Sequence, residues 1–280
     1  MLHLATSYLA LVRPVNLLIT FFSIIAAGIL AGGRWTDATP MFLAGIAGAA
    51  VAAGANAIND YFDVEIDRVN RPERPIPRGA LSRQQARYVW LLTSMAGCAC
   101  GWMIGPWPFA ITVFSVVFLY FYSRTLKATP LAGNFAVSGM TGMALIFGGT
   151  AIGAAENTVV PALFAFLVNL AREVVKDIED REGDSRQRVT TLPVMFGIRP
   201  ARLVATTALI LLIAITILAY TRGLYNDIYL FLVLVVDSVL LYVAMAVWWR
   251  ETPAQMRRLS VLLKATMVVG LAAIFFGRRI

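Results

Sequence analysis

Two eight-residue segments carry the same arrangement of carboxylates. Asp60, Asp63, Glu65 and Asp67 stand in a D-x-x-D-x-E-x-D pattern, and Asp177, Asp180, Glu182 and Asp184 repeat it 117 residues later. Spacings of three and four set Asp60, Asp63 and Asp67 along one helical face, and Asp177, Asp180 and Asp184 along another. Like charges so placed repel. The helix is weakened unless a cation sits between them, so removing one carboxylate is expected to cost no stability without a metal. Carboxylate oxygens are hard donors. They suit Mg²⁺, which takes one or two carboxylates and shares its shell with substrate phosphate oxygens. Of the 16 acidic residues, 11 fall within 60–73 and 173–184, so ordinary surface solvation is a poor account of them.

Each cluster precedes an arginine-rich stretch. Arg71-Pro72-Glu73-Arg74-Pro75-Ile76-Pro77-Arg78-Gly79 follows the first. Its three prolines predict an extended, restricted loop that preorganises Arg71, Arg74 and Arg78. Guanidinium forks match phosphate oxygens as lysine does not. The stretch 186–193 is a looser counterpart after the second cluster, and Ser82 with Gln85 forms a capping-box signature for the next helix. Lys176 directly precedes Asp177, while Arg124 and Lys127 close an apolar run. Carboxylate-held Mg²⁺ with Arg and Lys around it is suited to stabilising a diphosphate as it leaves carbon.

The elements that hold these residues must cross a bilayer. The chain has 280 residues, is 59% hydrophobic and only 14% charged, far too apolar for a soluble domain. Span-length uncharged runs recur at 14–33, 38–59, 88–123, 128–155 and 203–221. Gly105-Pro106-Trp107-Pro108 splits the third, and 157–171, 228–249 and 259–276 add three more. The expected fold is all-α and polytopic: nine transmembrane helices in one bundle, a single domain over 1–280, with a cavity open to the cytoplasm. Alternate loops carry 19 basic residues on one side and four on the other. That asymmetry explains the net charge of +8 without nucleic acid, and places both Asp clusters at the cytoplasmic face of the cell membrane. The first apolar run is span-length, so no cleavable leader is expected. His3, the single histidine, is expected at a frayed end, which leaves no histidine base or ligand. Cys98 and Cys100 read as core-filling thiols.

Asn59-x-x-x-Asp63-x-x-x-Asp67, the Arg-Pro-x-Arg-Pro that follows, Arg13-Pro14-x-Asn16 and the second aspartate motif together resemble the UbiA superfamily of intramembrane prenyltransferases. The resemblance runs over nearly the whole chain. It implies a Mg²⁺ set of Asn59, Asp60, Asp63, Asp67, Asp177, Asp180 and Asp184, with Asp63, Asp67, Asp180 and Asp184 indispensable to turnover. Asn59, Arg71, Arg74, Arg78, Lys127 and Lys176 would bind an isoprenyl diphosphate donor. Lys176 to Asp184, followed by Thr190-Thr191-Leu192-Pro193-Val194, is similar to the branch that forms ether lipids. That similarity implies geranylgeranyl diphosphate as donor and geranylgeranylglyceryl phosphate as the lipid-like acceptor. Arg13, Arg124 and Lys127 are candidates for a second cationic spot under the acceptor phosphate, and Asn16 for its hydroxyl.

Two other readings stay open. One is an aromatic quinone-precursor or chlorophyllide acceptor in the same superfamily. The other is a cation-coupled transporter, because Asp237 sits mid-span with Ser238 or Lys264 as its expected partner. Gly28, Gly45, Gly48, Gly54, Gly139, Gly142, Gly148 and Gly149 either pack helices closely or leave room for an isoprenoid tail.

Overall fold

A computed structural model describes residues 2–186, 189–250 and 252–278. Arg188 and Arg279, counted above among the loop charges, lie outside the described residues, as does the side chain of His3. The chain divides into two compact units, Met1–Leu126 with Ala144–Thr158, and Lys127–Met143 with Val159–Ile280.

In the first unit α1 (Leu2–Val12), α2 (Pro14–Leu30), α3 (Ala38–Phe62), α4 (Val64–Asn70), α5 (Arg83–Ile104) and α6 (Pro106–Arg124) follow in order. The expected frayed terminus is instead a helix. Arg13 adopts the left-handed conformation (φ 58°), Pro14 starts α2, and the two helices meet at a 44° bend. Between α5 and α6 the break falls at Gly105 before Pro106, as the proline spacing predicts. The α5 start carries the expected reciprocal cap: Gln85 N donates to Ser82 Oγ at 3.1 Å and Ser82 N donates to Gln85 Oε1 at 2.7 Å.

The helix α7 (Ala132–Thr150) has residues in both units. The second unit continues with α8 (Val159–Arg186), the four-residue turn α9 (Leu192–Met195), α10 (Ile198–Thr221), α11 (Asp227–Trp249) and α12 (Pro253–Gly277). At 28 residues, α8 is ~42 Å long, more than the ~30 Å of bilayer hydrocarbon, so its acidic end runs beyond the apolar slab.

The protein is a multi-pass, all-helical membrane protein. Among the described residues nine helices have at least 17 residues, but only six are both long and apolar enough to span by themselves. The bent pair α1–α2 makes a seventh candidate. The Gly, Ser and Thr content of α7 and the polar start of α5 (Arg83, Gln84, Gln85, Arg87) dilute their apolar character, which leaves the expected count of nine unconfirmed.

Close helix approach accounts for most of the glycines. A Cβ on Gly48 would lie 2.1 Å from Ile24 Cδ1, and one on Gly148 would lie 2.3 Å from the backbone oxygen of Ile24. Gly28, Gly45, Gly54, Gly142 and Gly149 are similarly crowded, whereas Gly139 has nothing within 4 Å. Among the described residues Asp237 on α11 forms no pair with Ser238 or Lys264. Thr216 of α10 donates to its Oδ2 at 2.9 Å, and Ser238 instead donates to Leu234 O, one turn back.

Gly148→Val should lower the melting temperature of the detergent-solubilised protein, by about 1–3 kcal/mol of overpacking, because the obstruction is backbone. Gly139→Ala should leave it unchanged or slightly raised. Thermal melts followed by circular dichroism check both.

Candidate active site

The first carboxylate cluster is built on a broken helix. Asp60 ends the apolar stretch of α3, Asp63 occupies the break (φ −82°, ψ 0°) and Asp67 lies on α4. The three therefore share two helical segments, not one straight face as the spacing alone suggests. All are buried, with exposures of 2%, 8% and 5%. Burying carboxylates is costly unless they are paired and hydrogen-bonded. Arg74 Nη1 donates to Asp60 Oδ1 at 3.1 Å and to Asp67 Oδ2 at 2.5 Å. Arg13 Nη2 donates to the same Asp60 oxygen at 2.5 Å. Asn59 Nδ2 donates to Asp63 Oδ2 at 3.0 Å.

Arg13 reaches Asp60 because of the bend. Its Nη1 donates to Asn56 Oδ1 at 3.1 Å, and Asn56 Nδ2 returns a bond to Val12 O at 2.9 Å. A left-handed non-glycine residue costs ~1–2 kcal/mol, and these contacts hold it there. The expected separate cationic spot at Arg13 is thus part of the first cluster. The proline loop is not extended either. Arg74 N donates to Arg71 O, Arg78 N to Arg74 O, Gly79 N to Ile76 O and Leu81 N to Pro75 O, closing successive turns. Ile76 and Leu81 turn inward and pack with Leu11, Ala57, Val64 and Ala86. That burial folds the loop back and points Arg74 at the carboxylates, while Arg71 stays exposed and Arg78 donates to Ser7 Oγ at 2.9 Å.

The second cluster has the same letters and a different backbone. The helix α8 runs unbroken through Asp177, Asp180 and Asp184. Asn134 Nδ2 of α7 donates to Asp177 Oδ2 at 2.8 Å, and Thr191 Oγ1 donates to Asp184 Oδ2 at 3.2 Å. Arg181 Nε donates to Pro193 O at 3.2 Å, and Val189 N to Asp184 O at 2.9 Å, which hold the following segment against the helix end. Asp180 and Lys176 are exposed. Among the described residues no cation forms an ion pair with Asp177, Asp180 or Asp184. Arg124, Lys127 and Asn16 are exposed. Asn56 and Asn134 are the contributors that motif spacing missed, and Thr191 is part of the second motif with no role assigned to it by spacing. An amide inside an otherwise apolar run, as at Asn134, is the signal that marks such a residue.

The donors are all hard oxygens, which fits Mg²⁺. Among the described residues no three of His, Cys, Asp and Glu gather into a metal cage. Mg²⁺ does not require one, since it usually keeps waters and substrate phosphate oxygens and takes only one or two carboxylates.

A helical membrane protein with buried carboxylates bridged by guanidinium, and a second carboxylate set on a long helix, belongs to the intramembrane enzymes that handle diphosphates. Residues 20–269 match the UbiA prenyltransferase family, and the chain belongs to that family. It is 39% identical to the digeranylgeranylglyceryl phosphate synthase of Methanopyrus kandleri over 95% of this chain and 97% of the relative. A solved digeranylgeranylglyceryl phosphate synthase superposes with a TM-score of 0.89 at 29% identity, covering 98% of both chains. A UbiA homologue from Archaeoglobus fulgidus, solved with GPP and Mg²⁺, has the same fold at 18% identity, with a TM-score of 0.70 over 96% of this chain and 99% of its own.

Arg74→Gln should destabilise the metal-free protein by roughly 3–5 kcal/mol, because it leaves Asp60 and Asp67 buried with less compensation. Exposed Arg71→Gln should change stability by no more than about 0.5 kcal/mol. Asp67→Ala should also cost stability, contrary to the repulsion-only expectation, since Asp67 is ion-paired. Denaturation midpoints in detergent, measured in excess EDTA, check all three.

Proposed function

We propose that the protein transfers a geranylgeranyl group from geranylgeranyl diphosphate to the free hydroxyl of geranylgeranylglyceryl phosphate, forming an ether lipid with the aid of Mg²⁺. Full-length similarity to digeranylgeranylglyceryl phosphate synthases carries this reading. The Arg74-bridged carboxylates supply the chemistry to go with it. The whole chain works as one catalytic domain in the cell membrane, with its carboxylates towards the cytoplasm, as the basic loops favour.

Asn59, Asp60, Asp63 and Asp67 in the first set, and Asp177, Asp180 and Asp184 in the second, are the residues that would hold Mg²⁺. Bound there, Mg²⁺ supplies charge neutralisation to the diphosphate. Arg74, with Arg71, Arg78, Lys127 and Lys176, binds the diphosphate and stabilises the negative charge that grows on it as the allylic C–O bond breaks. The acceptor oxygen then attacks the allylic carbon, the new ether bond forms, and the hydroxyl proton passes to a carboxylate or to the released diphosphate. A neutral alcohol needs little activation against such an electrophile, so no histidine is required. Arg124 attracts the acceptor phosphate, and Asn16 accepts a hydrogen bond from the acceptor's hydroxyl.

Purified protein given labelled geranylgeranyl diphosphate, Mg²⁺ and a panel of acceptors should yield digeranylgeranylglyceryl phosphate, identified by mass. Conversion of 4-hydroxybenzoate or a chlorophyllide, but not of geranylgeranylglyceryl phosphate, would replace the acceptor and keep the family. In the same assay Asp63→Ala, Asp67→Ala, Asp180→Ala and Asp184→Ala should abolish turnover. Arg74→Lys keeps the charge but loses the fork, and should cut kcat/KM by about tenfold or more; wild-type kinetics in that variant would confine Arg74 to holding the fold.

A further inference from the structure

A groove of about 800 Å³ lies between the acidic end of α8 and the start of α12. None of the carboxylates assigned to Mg²⁺ lines it. Glu179 lines its α8 side. The α12 side presents Pro253, Arg257 and Val261 in one column at four-residue spacing, and Ala254, Arg258 and Leu262 in the next. Each guanidinium thus sits one turn above an exposed apolar side chain, with Val261 61% and Leu262 37% exposed.

Helix stability does not explain the two arginines. They stand in the second turn of α12, beyond the first turn over which the helix dipole acts, so the dipole gives them no role. The N-terminus is already capped: Gln255 N donates to Thr252 Oγ1 and Thr252 N donates to Gln255 Oε1. Neither arginine is hydrogen-bonded or ion-paired among the described residues. Glu179 offsets one of the two charges, so the groove keeps a net positive layer over an apolar floor. A charged layer at the water boundary with hydrocarbon-facing side chains one turn deeper has the profile of a phosphate-headed lipid. Its volume lies within the range that holds one small amphiphile.

We propose that this groove binds an anionic membrane phospholipid, with its phosphate on Arg257 and Arg258 and one chain along Val261 and Leu262. The guanidinium forks suit phosphate oxygens, and two basic residues at the surface are enough to select an anionic over a zwitterionic headgroup. The site binds no prenyl donor, so it stands or falls independently of the transfer reaction.

The full chain, purified in detergent, is incubated with equal amounts of phosphatidylglycerol and phosphatidylcholine, and retained lipid is read by native mass spectrometry. Phosphatidylglycerol should be retained in about tenfold excess or more. The R257Q/R258Q double variant should lose that preference, R257K/R258K should keep part of it, and Arg199→Gln, an exposed cation elsewhere, should keep all of it. Thermal melts establish that each variant is folded. If R257Q/R258Q does not fold, the preference is read from R257K/R258K and from competition by phosphatidylglycerol against a labelled copy of itself. Equal retention of the two lipids by the wild type would overturn the proposal, as would undiminished preference in folded R257Q/R258Q. Displacement by excess inorganic phosphate would also overturn it, by making the groove a site for a free anion.

Discussion

The bridge from Arg74 to Asp60 and Asp67 is the constraint on which the first half of the molecule turns. Three carboxylates lie within eight residues and are almost wholly removed from water. Buried carboxylates with no cation among them would carry a heavy desolvation cost. The guanidinium bridges Asp60 and Asp67 and holds them close. Its position in turn requires the proline loop to fold back, and the loop folds back because Ile76 and Leu81 have an apolar cluster to enter. Electrostatics at the site and hydrophobic burial beside it are therefore one problem with a single solution. Arg13 adds the third support, and its left-handed backbone is held by the contacts it makes with Asn56 and Asp60.

The two copies of the acidic pattern divide the work differently. The first is closed, with a break at Asp63 and guanidinium already on its oxygens. The second is open, carried on an uninterrupted helix and steadied by neutral donors, Asn134 and Thr191. Neutral donors orient a carboxylate without cancelling its charge, so the second set keeps more of its attraction for a cation. The break at Asp63 lets α4 turn Asp67 toward Arg74, which a straight continuation of α3 would not require.

Within the apolar segments, many hydroxyl side chains are satisfied locally. Thr112, Ser115, Ser138, Thr141 and Thr150 each donate to the carbonyl one turn back, which removes the cost of an unpaired hydroxyl in hydrocarbon. Asp237 differs from these. It is buried, receives one bond from Thr216 and, among the described residues, has Oδ1 without a hydrogen-bond partner. Small residues then let the helix backbones meet. The crowding at Gly48 and Gly148 shows that packing, not an open groove, explains most of the glycines, while Gly139 is the one of those eight with open space beside it.

Much of this was legible in the linear chain. Apolar run length required membrane helices, the proline before α6 and the Ser82–Gln85 cap placed boundaries, and repeated carboxylates beside arginines pointed to a metal and a diphosphate. These signals are local, because hydrogen bonding within a helix, proline geometry and like-charge spacing involve neighbours along the sequence. What the sequence could not supply was which distant group answers each charge. Asp60 and Asp67 take Arg74, Asp60 also takes Arg13 from 47 residues away, Asp177 takes Asn134, and Asp237 takes Thr216. Nor could it show that the prolines close turns, since proline restricts φ but leaves the direction of the loop to whatever apolar surface it can bury against. Partner choice depends on separation in space, and that is set when the helices pack.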